Sequence, residues 1–424
     1  MKRLLLLLLA GAGLWLAACS SLTSTAASTS LSDRLIAPGG VSTLLDMPRI
    51  AEAVESVPNR HGLVTGRAGV PIFWRAFDPG QYGLHYQYLP QQHDNGEPLR
   101  TGMALDLPHP FQPKAPRGTV VLLHGWMMNG DAMLPWSLQL AQSGYRVVTI
   151  DLRNHGHSGA GPSGYGTFES DDVVDVIAAL KARGEVVGPL YLFGVSYGAA
   201  TALFTADKLG DQVTGVVAME SFANAGAAIR SMIPHLMSLQ PTAWKAQAMA
   251  AYGRWRYGGQ DIDQVIAAAS QRLDLDLDRV DVTRALADSR TCVLLLHGQD
   301  DQHVPVGQGR RLAAASPRVH YIEMRGEDHI TLPLRVDLLG GVVDDWLAHD
   351  AHAGGGCPAP ELPGEAYLLA LLAAQAKAPQ GCPPGCAGRW PAPRDRPAFM
   401  RAGQRPALPG LRAAPTNGRR LPRH

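Results

Sequence analysis

The chain of 424 residues has almost no surplus charge: 38 Lys or Arg stand against 37 Asp or Glu, a formal net charge of +1. Attraction to nucleic acid draws on clustered excess cations, so no nucleic-acid partner is expected and a small-molecule partner is favoured. Cysteine is scarce too. Five residues, at 19, 292, 357, 382 and 386, make no disulfide framework, and the single C-x-x-x-C pair has no matching second pair, so no metal is assigned. Cys292 precedes the apolar run 293–296, where a thiol behaves as a small hydrophobe. A bridge among Cys357, Cys382 and Cys386 stays open in an oxidising compartment. The unbroken apolar run over residues 4–18 falls short of the roughly 20 residues that span a bilayer.

That run follows Lys2 and Arg3, the order of a secretory signal peptide, assigned to residues 1–18. It closes with Leu16, Ala17, Ala18 and Cys19, which resembles the lipobox of bacterial lipoproteins. The resemblance implies lipidation at Cys19, a membrane partner through that anchor and, with Ser20 next in place of Asp, an outer-membrane lipoprotein facing the periplasm. Residues 19–40, opening on a Ser-, Thr- and Ala-rich stretch, read as a flexible tether. One folded body is expected over 41–350. Residues 351–424 hold 13 of the 32 prolines and ten Lys or Arg against three acids, a composition that builds no core and reads as a disordered tail. The tail's +7 leaves the rest of the chain near −6.

Within the body, short apolar runs alternate with helical patterns, the signature of an α/β doubly wound, mostly parallel sheet. Buried strands are expected near 119–123, 146–150, 190–193, 213–219, 291–296 and 319–324, with residues 84–89 and 100–107 as an antiparallel opening pair. Helices are expected near 133–143, 169–183, 197–209, 307–315 and 334–348. One interval breaks the rhythm: the helical material of about 223–288 is too long for a crossover and is read as a cap over the strand ends, where open α/β sheets bind ligands. Its Met, Trp and Tyr residues are read first as packing, and the acids at 274, 276 and 278 as solvated, since a calcium loop would need a Gly and a closing Glu.

The strongest local signal is Gly194-Val195-Ser196-Tyr197-Gly198, a G-x-S-x-G between an apolar run and a helical stretch. Such a turn crowds strand against helix, which is why Gly194 and Gly198 flank the serine. A serine hydroxyl needs a base to take its proton, and His329 in the loop after 319–324 supplies one. The base in turn needs a carboxylate. Asp301, its neighbour Asp300, and Glu220 at the end of the strand before the insertion are the candidates. An oxyanion requires backbone donors aimed at it, each worth roughly 3 kcal/mol. Tyr197, directly after the serine, and Trp126, in the turn His124-Gly125-Trp126, are the candidates.

Four segments in this order resemble the α/β-hydrolase superfamily over about residues 69–349: the His124 turn, Asp151 to Gly159 (similar to D-x-R-G-H-G-x-S, with Asn154 for Gly), the Ser196 elbow, and His297 to Pro305 (similar to H-G-x-x-D-x-x-V-P). The pattern looks like the serine-hydrolase group that contains monoacylglycerol lipases, carboxylesterases and serine aminopeptidases. It implies an α/β-hydrolase fold with an eight-stranded sheet, Asp301 as the acid, and architectural roles for His155, His157, His297 and His303. The expected activity is hydrolysis of a carboxylic ester or thioester through an acyl-serine, with no cofactor. Amide or peptide cleavage by the same residues is the alternative, then acyl transfer, then a non-catalytic lipoprotein that binds.

Overall fold

The computed structural model describes residues 30–38, 45–89, 101–242, 244–350, 357 and 360. The expected signal peptide, Cys19 and all of the tail except 357 and 360 lie outside the described residues. Two short helices come first. In α1 (Leu31–Ile36), the Ser30 hydroxyl accepts the Asp33 amide while the Asp33 carboxylate accepts the Ser30 amide at 2.6 Å. This reciprocal cap satisfies two amides that a helix start leaves open. Leu31 and Leu35, four apart, are buried, and Asp33 pairs with Arg272 at 2.5 Å. The flexible tether expected over 19–40 is therefore corrected at 31–36, because this piece is capped and seated on the body. α2 (Met47–Glu55) follows, with Asp46 as its cap.

β1 (Arg60–Thr65) and β2 (Pro71–Phe77) pair antiparallel. β3 (Leu84–Tyr88) and β4 (Thr101–Leu105) also pair antiparallel, but in a separate two-stranded sheet. The opening pair of the main sheet is thus β1–β2, and the expectation for 84–89 and 100–107 is corrected. Both pairs alternate in the same way along the sequence. Only long-range pairing of β2 decides which of them joins the sheet.

From there strand and helix alternate: β5 (Thr119–Leu123), α3 (Leu134–Gln142), β6 (Arg146–Ile150), α4 (Thr167–Ala182), β7 (Leu190–Val195), α5 (Tyr197–Leu209) and β8 (Gly215–Met219). Every residue of β5, β7 and β8 is buried, the burial of parallel strands covered on both faces. Then come α6 (Ala225–Ser238), α7 (Trp244–Tyr257), α8 (Ile262–Leu273), α9 (Val282–Asp288), β9 (Cys292–Gly298), α10 (Gly307–Ala315), β10 (Val319–Met324) and α11 (Val336–Asp345). The eight-stranded sheet runs β1-β2-β6-β5-β7-β8-β9-β10, antiparallel at β1-β2-β6 and parallel beyond. This is the α/β-hydrolase fold expected from the sequence. Two buried apolar clusters, one on each face, fix the layers.

α6, α7 and α8 occupy the interval assigned to the cap, whereas α9 packs against α5 and α10 and belongs to the helical layer. The exposed acids before α9 are locally paired: Asp278 pairs with Arg230, and Asp276 accepts the Asp278 amide at 3.0 Å. Cys292, at the start of β9, forms a disulfide with Cys357 across 65 residues. This corrects its reading as a plain hydrophobe. The bond ties the chain beyond α11 to the sheet and restricts the unfolded ensemble.

The docking of α1 should depend on acid. The Ser30 hydroxyl and amide, with Arg272 beside them, pull the Asp33 carboxyl from 3.8 down to about 2. A depressed carboxyl contributes stability that is present above its unfolded value and lost as pH falls through the folded one, here between about pH 4 and 2. The protection of the amides over residues 31–36, relative to their intrinsic exchange at each pH, is expected to fall across that window in the wild type and to change little in Asp33→Asn. Equal protection of the wild type at both ends would count against the cap.

Candidate active site

β7 hands the chain to α5 through Ser196, whose backbone is left-handed at φ 54 and ψ −113. A side chain on Gly194 would collide with the Gly198 carbonyl, and one on Gly198 with the carbonyls of Leu123 and His124. Strand and helix can approach this closely only with glycine at both places. The Ser196 amide donates to the Met219 carbonyl at 2.7 Å, and its carbonyl accepts the amides of Ala199 and Ala200, so backbone bonds hold the strained turn from both sides. Its hydroxyl stands at the carboxyl edge of the sheet.

At that edge the Ser196 Oγ lies 2.9 Å from His329 Nε2, and His329 Nδ1 lies 2.7 Å from Asp301 Oδ2. A carboxylate only accepts, so Nδ1 carries the imidazole proton and Nε2 is free to accept from the serine. Asp301 is buried, and its Oδ1 accepts the Val304 amide at 2.7 Å. Burial alone would raise its pKa, but the charge of His329 and hydrogen bonds from His297, His329 and Glu220 outweigh it and hold the carboxyl well below the usual range. Asp300, one residue earlier, is exposed and takes no part. The His329 loop is pinned by Asp328, whose Oδ1 accepts the amides of Ile330 and Thr331, and by an ion pair between Glu327 and Arg335.

Glu220 sits behind this line. It is fully buried at the end of β8, with a left-handed backbone (φ 56), Oε1 accepting the Gly298 amide at 2.9 Å and Oε2 3.3 Å from His297 Nε2. Burial, reinforced by the charge of Asp301 and a hydrogen bond to it, pushes Glu220 well above the usual carboxyl range. The two buried acids therefore hold one charge between them: Asp301 is ionised and Glu220 is neutral. His297 Nε2 donates to the Val304 carbonyl at 2.8 Å and lies 3.3 Å from Asp301 Oδ2. Glu220, His297 and Asp301 place three possible ligand atoms within 4.8 Å of one another.

Two neutral histidines shape the facing loop. His124 donates from Nδ1 to the Gly125 carbonyl at 2.7 Å and accepts the Leu152 amide at Nε2 at 3.0 Å. Burial, then the neighbouring His155, push its pKa down to about 3. His155 donates to the Arg153 carbonyl at 2.8 Å and accepts the Met127 amide at 3.1 Å. Met127, left-handed at φ 58, is thereby held directly after Trp126. Gly125 comes close to Ser196, since a side chain on it would lie 3.9 Å from the Ser196 Cβ. Among the described residues, neither the Trp126 nor the Tyr197 amide donates to another backbone or side-chain group. Asp151 staples the same loops, its Oδ1 accepting the Gly130 amide at 2.6 Å and its Oδ2 the His157 amide at 2.8 Å.

Sequence reasoning missed one contact. His303 stacks on His329 with ring centroids 5.0 Å apart and meets His235 of α6 at 4.6 Å, so the cap touches the base through it. Burial, then the charge of His329, push its pKa down to about 3. No local pattern marks His235, because the contact spans 68 residues.

Residues 120–337, just over half the chain, match the alpha/beta hydrolase family. The chain is 27% identical to the uncharacterized protein YqkD of Bacillus subtilis over 212 residues, 49% of this chain and 64% of that protein's length. It is 27% identical to the non-heme chloroperoxidase CPO-A1 of Kitasatospora aureofaciens over 244 residues, 50% of this chain and 84% of that one. The bifunctional esterase/perhydrolase DCH of Acinetobacter calcoaceticus is 26% identical over 227 residues, 45% and 77% of the two chains.

The shared charge gives a ranking of variants. Glu220→Gln stays neutral, keeps an acceptor for the Gly298 amide and should retain most of the stability. Glu220→Ala strands that amide in the interior and is expected to cost about 1–3 kcal/mol. Thermal unfolding of the three proteins reads the order directly. Alanine tolerated better than glutamine would show that the Gly298 amide does not depend on this side chain.

Proposed function

The chain belongs to the alpha/beta hydrolase family, and from that premise we propose that it is a hydrolase and, more finely, a serine esterase. The observation that carries this reading is the continuous line from Ser196 Oγ through the His329 ring to Asp301, at 2.9 and 2.7 Å. The Ser196 oxygen attacks the acyl carbon of an ester or thioester while its proton passes to His329 Nε2. The oxyanion that forms is met by the amides of Trp126 and Tyr197. Buried Asp301 holds the neutral imidazole in the reactive tautomer and stabilises the imidazolium that forms. The tetrahedral intermediate collapses as His329 returns the proton to the departing alcohol or thiol. Water, deprotonated by the same imidazole, then frees the acid and restores the serine. The glycines at 125, 194 and 198 let the three loops meet at this distance. An esterase activity in a relative, DCH, agrees with an ester substrate.

We place this chemistry at the bacterial cell envelope, with a lipid on Cys19 as the anchor and the periplasm as the working side. The N-terminal sequence supports that placement.

Turnover of p-nitrophenyl acyl esters tests the assignment. Ser196→Ala and His329→Ala are expected to lose about four orders of magnitude or more in kcat, and Asp301→Asn about as much, because the wrong tautomer is then favoured. Asp300→Asn should turn over like the wild type. A loss in Asp300→Asn that exceeds the loss in Asp301→Asn would overturn the choice of acid.

A further inference from the structure

Five large apolar side chains are exposed among the described residues, and four of them lie on α7: Trp244 (73%), Met249 (61%), Tyr252 (46%) and Trp255 (78%). The helix is turned the unusual way round. Trp244, Ala248, Ala251 and Trp255 recur at the i, i+4, i+7, i+11 spacing of an apolar stripe that normally faces a core. Here all four are exposed, with Tyr252 beside Trp255 at a ring distance of 5.9 Å. The half-buried side carries the small residues Ala246, Ala250 and Gly253, with Arg256 and Tyr257 at its end, where Tyr257 packs on the core. An exposed patch of this kind marks an interaction surface.

The chemistry of the patch selects its partner. Trp and Tyr combine a large apolar ring with one polar group, which suits a surface that is apolar on one side and wet on the other. Residues 239–260 contain Lys245, Arg254 and Arg256 and no acid, a local +3 on a body near −6. Arg254 donates to the Leu239 carbonyl at 3.0 Å, a partner that leaves its charge uncompensated. A second copy meeting stripe to stripe would bring like charges together. The face of a single helix is also convex, which a deformable bilayer fits better than a flat protein surface does.

We infer that α7 is a membrane-docking element that seats its Trp244–Tyr252–Trp255 face in the headgroup region of an anionic phospholipid bilayer. It places the cap on the lipid surface, one helix from His235 and the contact to His329. Docking is separate from the ester chemistry, so Ser196→Ala is expected to dock as the wild type does even if the proposed esterase reading fails.

The proposed lipid on Cys19 would hold every variant at the bilayer, so the readout must be local to α7. The full chain is mixed with phosphatidylcholine vesicles, with or without phosphatidylglycerol, that carry lipids brominated near the headgroup. Tryptophan emission is expected to be quenched on the anionic vesicles and much less on the neutral ones. Trp244→Phe/Trp255→Phe should remove most of that quenching, and Arg254→Ser/Arg256→Ser should weaken it by about fivefold per arginine lost. Equal quenching in the wild type and the double tryptophan variant would overturn the proposal. So would sedimentation showing that Trp244→Ser/Trp255→Ser turns a dimer into a monomer, which would give the face to a second copy.

Discussion

At Ser196 a parallel strand turns into a helix with no space for a side chain two residues before or after. Gly194 would strike the Gly198 carbonyl and Gly198 the Leu123 carbonyl if either carried a Cβ, so strand, turn and neighbouring strand are locked at contact distance. The cost of that crowding falls on the serine, a non-glycine residue in the left-handed region, where such strain is of order 1–3 kcal/mol. The bond from its amide to Met219 helps offset it and also uses up that amide's donor. The next amide, that of Tyr197, begins the helix with no acceptor above it. The same steric conflict thus sets out the hydroxyl, points an amide past it, and brings the His124 loop in from the adjacent strand.

The electrostatics around the turn depend on how few charges are buried. Asp301 and Glu220 are buried close together, and both could not be ionised there without a large penalty. The fold resolves this by giving Asp301 donors from Val304 and His329, with His297 Nε2 3.3 Å away, while Glu220 accepts the Gly298 amide and stays neutral. His124, His155 and His303 are kept neutral by burial, so the charge that develops on His329 during reaction would meet Asp301 without competing cations beside it. Neutral imidazoles are well suited to bracing, since each has one donor and one acceptor and can link two backbone segments.

The parts of this site that repeat a local pattern were legible in the sequence. The G-x-S-x-G turn, the histidine after the last strand and the ordered sequence of apolar runs follow from steric and burial rules that act over a few residues. Asp301 could be preferred over Asp300 only by resemblance, because the two differ in burial and not in type. What stayed hidden depends on distance along the chain. Nothing near residues 60–77 shows that they, and not 84–105, join the main sheet. The Cys292–Cys357 bond spans 65 residues, and the His235–His303 contact joins a cap helix to a loop after β9. The aromatic residues of α7 read as packing because Met and aromatic side chains in helices usually pack, and only the structure shows Trp244, Tyr252 and Trp255 exposed.

The account rests on a serine hydroxyl made reactive by an imidazole held at 2.9 Å. Treating the full chain with a fluorophosphonate and mapping the adduct by peptide mass spectrometry tests that most directly. The account predicts phosphonylation at Ser196, fast in the wild type and strongly slowed in His329→Ala. An unlabelled Ser196 peptide in the wild type, or an adduct on a different serine that persists in Ser196→Ala, would contradict it.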